Sequence, residues 1–198
     1  MLGYSQAAEN NKGPIMEVLG KHLKKGASVL EIGSGSGQHA IHMSAAYPTI
    51  NWIPSERKNV IPILRENLTL HGSSNIQSPL TLDLADANWR GASVDIVYAA
   101  NVMHIVSIDL GERLLRLAAD ALDTFGALML YGPYKYDGRF TTESNAAFDQ
   151  WLKERDPASG IRDIERVTAL ASKIGLSLTA DYSMPANNQM LVFEPSRD

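Results

Sequence analysis

The 198-residue sequence predicts one α/β domain: a Rossmann-like, doubly wound, seven-stranded sheet, mostly parallel, with an antiparallel hairpin at its C-terminal end. Three observations predict it. Apolar strand-like runs alternate with segments of helical periodicity through the first two-thirds of the chain. A turn with glycine at alternate positions, Gly33, Gly35 and Gly37, joins the first strand to a helix. The last two strand-like runs lie only a loop apart, which suits a hairpin rather than a helical crossover.

Taken in order, helical spacing opens over residues 14–24, with Pro14 at its start, where a missing N–H costs nothing. Residues 28–32 form a buried strand, and residues 38–46 the helix that follows the glycine turn. A second strand spans 50–54, and a helix over 59–71 carries Pro62 in its first turn. The third strand is expected at 80–84 and the fourth, apolar on both faces, at 94–100. Leu110, Leu114, Leu115, Leu117, Ala118 and Leu122 then recur at helical spacing before a fifth strand at 127–131. Beyond Gly132 the chain turns polar and irregular, with helices expected at 144–153 and 164–174 and the closing strands at 177–182 and 189–193. No Pro/Gly/Ser linker divides the sequence, so residues 1–198 are read as one unit.

Composition narrows the function. Eighteen Lys and Arg against 22 Asp and Glu give a net charge of -4, so no positive field draws nucleic acid or an anionic membrane. The absence of cysteine removes disulfides, Cys-ligated metal and a thiol nucleophile. Residues 1–13 hold neither a basic n-region nor an apolar h-region, and no apolar stretch reaches the roughly 18 residues of a membrane span, so a cytoplasmic protein is expected. The expected partner is a small molecule, and the chain is expected to be a monomer or homodimer.

The glycine turn carries the strongest signal. Glycines there permit positive φ and close approach of backbone to a ligand, and the helix N-terminus behind them presents free N–H groups. A nucleotide-like ligand follows. The dinucleotide fingerprint G-x-G-x-x-G is not met, because the third glycine comes one position early and Gln38 stands in its place. Glu31 also puts a carboxylate two residues before Gly33, where a pyrophosphate would be repelled and a cationic ligand welcomed. An NAD(P)-dependent oxidoreductase is thereby disfavoured.

The stretch Glu31 to Gly37 resembles the first motif of the class I S-adenosylmethionine-dependent methyltransferases, E/D-x-G-x-G-x-G. The resemblance narrows further, nearly end to end, to the DUF938 or methyltransferase-like 26 family. It is carried by Ala8-Glu9-Asn10-Asn11-Lys12, Gln38-His39-Ala40, Pro54-Ser55, Asn101-Val102-Met103-His104-Ile105, Tyr131-Gly132-Pro133, Ser144-Asn145-Ala146-Ala147-Phe148-Asp149 and Pro185-Ala186-Asn187-Asn188. One departure is Glu56-Arg57, where the family pattern has Asp followed by a small residue or proline.

That resemblance implies S-adenosylmethionine as cofactor and a methyltransferase reaction, with the acceptor unspecified. It implies cofactor contacts at Asn11, Glu31, Gly33, Ser34, Gly35, Gly37, Gln38, Glu56, Asp83, Leu84, Asn101 and Met103. Glu56 would accept from the ribose hydroxyls and Asp83 from the adenine amino group, with a helix or turn cap as the alternative role for Asp83. Asn10 and Asn11 are expected to cap the first helix or to fold over the cofactor as a lid. Methyl transfer asks for alignment and at most one proton acceptor. His104 is the candidate base, Tyr131 is a second catalytic candidate, and Tyr134, Arg139 and Asn187 are placed on the substrate side. His39 and His42 share a helix face without a third ligand, so no metal is expected. A non-catalytic S-adenosylmethionine-binding module fits the same residues.

Overall fold

The computed structural model describes residues 1–86 and 88–196. The first strands and helices alternate: α1 (Gln6–Gly20), β1 (Ser28–Ile32), α2 (Gln38–Ala46), β2 (Asn51–Glu56), α3 (Ile61–His71) and β3 (Leu80–Thr81). Then come β4 (Val94–Ala100), α4 (Ile108–Ala121), β5 (Leu122–Gly132), β6 (Tyr134–Tyr136), β7 (Arg139–Phe140) and α5 (Glu143–Arg155). The chain ends with β8 (Arg162–Asp163), α6 (Ile164–Ser172), β9 (Leu176–Met184), a 3-10 turn at Pro185–Asn187, and β10 (Asn188–Pro195).

Among the described residues the main sheet has seven strands in the order β3-β2-β1-β4-β5-β10-β9. The first five pair in parallel, while β10 runs antiparallel to both β5 and β9. The Rossmann-like, doubly wound architecture expected from the sequence is the one observed. Successive side chains of each strand enter opposite layers. Leu30, Ile53, Val97, Leu128, Leu130 and Phe193 pack under α4 and α6. Val29, Trp52, Ile96, Tyr98, Met129 and Val192 pack under α1 and α2.

Helix α4 shows how the pattern becomes packing. Ser107 caps it by accepting from the Leu110 N–H at 3.3 Å, and Leu114, Leu115, Leu117, Ala118 and Ala121 bury one face. Each buried leucine there contributes roughly 2 kcal/mol of transfer free energy.

Three expectations are corrected. Helix α1 starts at Gln6 rather than Pro14, and Pro14 lies inside it. The early start is set by tertiary bonds: Ser5 Oγ accepts from the Ala8 N–H at 3.2 Å, and the Gln38 side chain bonds both the N–H and the carbonyl of Ser5. They outweigh the interior proline's lost hydrogen bond. Strand β3 stops at Thr81, because Asp83 caps a turn by accepting from the Ala85 N–H at 3.0 Å. The irregular region contains a second, three-stranded sheet in the order β7-β6-β8, whose strands of two or three residues are too short for any periodicity to show. No helix among the described residues is long and apolar enough to cross a membrane.

Candidate functional site

Two cavities open at the carboxyl ends of the central strands, where open α/β sheets bind ligands. The first, of about 450 Å³, lies over the ends of β1, β2 and β4 and is walled by Gly33, Glu56, Asp83, Asn101, Val102 and Leu110, among others. The second, of about 350 Å³, lies between the N-terminal half of α1, the start of α5 and the β9–β10 loop. Asn101 belongs to both walls. Its backbone is left-handed, with φ at 57°, and its N–H donates to the Tyr131 carbonyl at 2.8 Å. Asparagine tolerates that conformation better than most residues, which lets the chain turn sharply between the cavities.

The glycine turn is built as its sequence requires. Gly33, Gly35 and Gly37 all have positive φ, at 76°, 55° and 85°. The N–H groups of Gly33 and Ser34 both donate to the Ser55 carbonyl, at 3.1 and 2.9 Å, which locks the turn to β2. A Cβ on Gly33 would lie 2.9 Å from Val102 Cγ2, directly in the first cavity's wall. Glu56 closes the arrangement, its carboxylate accepting from the Gly35 N–H at 3.1 Å and from the Arg57 N–H at 2.8 Å.

Several sequence candidates reach the first cavity: Gly33, Glu56, Asp83, Leu84 and Asn101. Asp83 does so while also capping its own turn. Others lie behind the wall. Glu31 is 2% exposed and accepts from Ser34 Oγ at 2.8 Å and Trp52 Nε1 at 2.9 Å, so it braces the turn from beneath. Burial raises its carboxyl to about 7. Ser34 is buried and spans from Glu31 to the Ser55 N–H. Gln38 grips the N-terminal segment instead of facing the first cavity. Met103 is core, and its carbonyl accepts from Arg162 at 3.0 Å.

Asn11 is not a helix cap, since it sits within α1. It lines the second cavity, as does Tyr131. His104, the expected base, reaches neither cavity wall. It is 3% exposed, its ring packs edge-on against Phe148 at 5.5 Å, and burial lowers its pKa to about 4. Tyr134 is core as well, 1% exposed, with its hydroxyl unpartnered among the described residues. Arg139 is exposed on β7, away from both walls. Asn187 is exposed with φ at 58°, the left-handed backbone its side chain tolerates, and its carbonyl accepts from Asn145. His39 bonds Asn11 and Tyr98, and no group of metal-ligating side chains occurs among the described residues.

Sequence reasoning missed Ile105, Ser107 and Asp156 in the first cavity and Pro133, Asn145 and Phe148 in the second. Most lie within the ordered polar words quoted above, which marked the segments but not their convergence.

Comparison with known proteins agrees with this fold. A family model described as "Protein of unknown function (DUF938)" matches residues 3–195. The fold resembles that of the mitomycin 7-O-methyltransferase MmcR at TM-score 0.80 and 20% identity, over 94% of this chain and 54% of that one. It resembles an O-methyltransferase family 2 protein from Planctomyces limnophilus DSM 3776, solved in complex with apigenin, at TM-score 0.77 and 16% identity, over 95% and 60%. A third likeness is CalO1, a methyltransferase in calicheamicin biosynthesis solved in its SAH-bound form, at TM-score 0.72 and 14% identity, over 98% and 62%. The chain spans little more than half the length of these proteins.

Proposed function

Because the chain belongs to the DUF938 family, with 193 of its residues inside the matched span of 3–195, and carries the methyltransferase-like fold, we propose that it binds S-adenosylmethionine and transfers its methyl group to a small molecule. The observation that carries this reading is Glu56. It stands at the end of β2, facing a cavity, with its carboxylate tied to the glycine turn.

The residues of the first cavity fit that cofactor. Glu56 offers acceptor lone pairs to ribose hydroxyls, and Asp83 offers them to an exocyclic amine. Leu82, Leu84, Val102, Ile105 and Leu110 supply an apolar slot for a flat base. The space around Gly33, held free by the missing Cβ, takes the methionine portion. No phosphate is needed, which suits the buried carboxyl of Glu31 beneath the turn.

When bound, the cofactor supplies an electrophilic methyl on sulfur. The chain's own part is to hold an acceptor in the second cavity, across Asn101, and to keep water away from the line of attack. We assign the acceptor-facing role to Tyr131 rather than His104, since only the former reaches the second cavity. The reading takes the chain as one functional domain.

Calorimetric titration with S-adenosylmethionine and S-adenosylhomocysteine, beside NADH and ATP, tests the proposal. Micromolar binding of the first pair alone is expected. Binding of NADH or ATP without the first pair would overturn it.

A further inference from the structure

The second cavity states what it accepts. Among the described residues its wall contains no Lys, Arg, His, Asp or Glu. A charged ligand would leave its charge unpaired there, at a cost of several kcal/mol if fully desolvated. The polar groups are neutral: five asparagines (Asn10, Asn11, Asn101, Asn145 and Asn188), Ser144 and Tyr131. Opposite them lies Phe148, held rigid between the edge-on ring of His104 and the stacked ring of Trp151 at 5.7 Å. At about 350 Å³ the space is at the small end of ligand sites.

The hydrogen bonds of the wall have a direction. Asn11 Oδ1 can only accept, so the His39 nitrogen at 2.8 Å, Nε2, carries the proton. Nδ1 is then the acceptor and takes the Tyr98 hydroxyl at 3.1 Å. Burial holds His39 down to about 4, so no second proton reverses this order at neutral pH. Asn11 shares this wall with Tyr131, and its amide beside the phenolic oxygen favours the phenolate. Burial raises the Tyr131 pKa nonetheless, so the hydroxyl keeps its proton. That proton is a donor this wall can offer to a ligand. The Asn145 and Asn188 side chains spend their Nδ2 groups on neighbouring atoms, which leaves Oδ1 of each as an acceptor.

We propose that this cavity takes a small, uncharged aromatic molecule carrying a carbonyl or amide oxygen and an O–H or N–H donor. The ring lies against Phe148, Tyr131 donates to the oxygen, and Asn145 and Asn188 accept from the donor. The Tyr98–His39–Asn11 chain acts as a positioning relay that orients the Tyr131 hydroxyl. Identifying this molecule as the methyl acceptor rests on the methyltransferase reading; the cavity's ligand class does not.

The test is a titration of the ¹⁵N-labelled full chain with three matched probes, 4-hydroxybenzamide, 4-hydroxybenzoate and tyramine, with and without S-adenosylhomocysteine. The neutral amide is expected to bind at least ten-fold more tightly than the anion or the cation. Tyr131→Phe and Asn11→Asp should each weaken the amide at least five-fold. The second is the sharper probe, since Asp keeps the acceptor for His39 and loses the donor to Tyr131. Ala7→Trp, at an exposed helix position on the rim, should block the amide even if a buried variant fails to fold. A preference for either charged probe, or amide binding unchanged in Tyr131→Phe or Ala7→Trp, would overturn the proposal. Amide binding with this pattern but no S-adenosylhomocysteine binding would uphold the cavity assignment and overturn only the methyltransferase reading.

Discussion

The Glu56 carboxylate accepts a hydrogen bond from the backbone N–H of Gly35 at 3.1 Å, joining the end of β2 to the turn after β1. One acid therefore shapes the glycine turn and also lines the cavity. Glu56→Ala removes both contributions. A charge-assisted bond is worth about 2 kcal/mol, or roughly thirty-fold in affinity. Calorimetry with S-adenosylhomocysteine should show at least that loss, and an unchanged Kd would remove Glu56 from the cofactor site.

Gly33 is constrained twice, by φ at +76° and by the 2.9 Å approach of a Cβ to Val102 Cγ2. Gly33→Ala therefore costs about 1–2 kcal/mol in backbone strain alone and pushes Val102 into the first cavity. Weakened cofactor binding by ten-fold or more, with a lower Tm, is expected. Gly35 differs: a Cβ there meets nothing within 4 Å, so a substitution acts through its φ of +55° rather than by filling space.

Burial raises the Glu31 carboxyl from 4.5 to about 7. Between those values the folded chain holds the proton that the unfolded chain releases. This contribution to stability is therefore complete below pH 4.5 and is lost as pH rises through 7. Glu31→Gln abolishes it. The Tm of the variant relative to the parent should climb between pH 4.5 and 7.5, by roughly 6–12 °C for about 3 kcal/mol. His39 and His104, both lowered to about 4, act oppositely: their contribution is present above pH 6.5 and fades below it. Being common to both proteins, it cancels. A Tm difference flat with pH would show that Glu31 ionises normally.

His104 touches Phe148 and lies against Gly132, where a Cβ would come within 3.1 Å of its Nδ1. His104→Ala leaves a void under the second cavity and should cost about 2–4 kcal/mol. Thermal melting should reveal the loss while the Kd for S-adenosylhomocysteine stays within two-fold. An unaltered Tm together with a ten-fold weaker Kd would place His104 at the cofactor instead.

The alternation of apolar strands with amphipathic helices determined the doubly wound sheet by itself, since each periodicity reports which faces must be buried. The three glycines likewise announced their conformation, because only that residue takes three positive φ values in five positions without strain. The C-terminal hairpin was legible from the short spacing of its strands. Other features were decided by contacts between residues distant in sequence. Ser5 and Gln38 started α1 early despite Pro14, and strands as short as β6, β7 and β8 exist only because they pair with one another. The site divided in the same way. Glu56 and Asn101 were named through the family resemblance, and both stand at strand ends, where open α/β sheets bind ligands. The separation of wall from support, with Glu31 braced below the turn and Asn11 bonded to His39 while sharing a cavity wall with Tyr131, required the tertiary structure. Hydrogen-bond direction and burial are properties of three-dimensional neighbours, which sequence order does not carry.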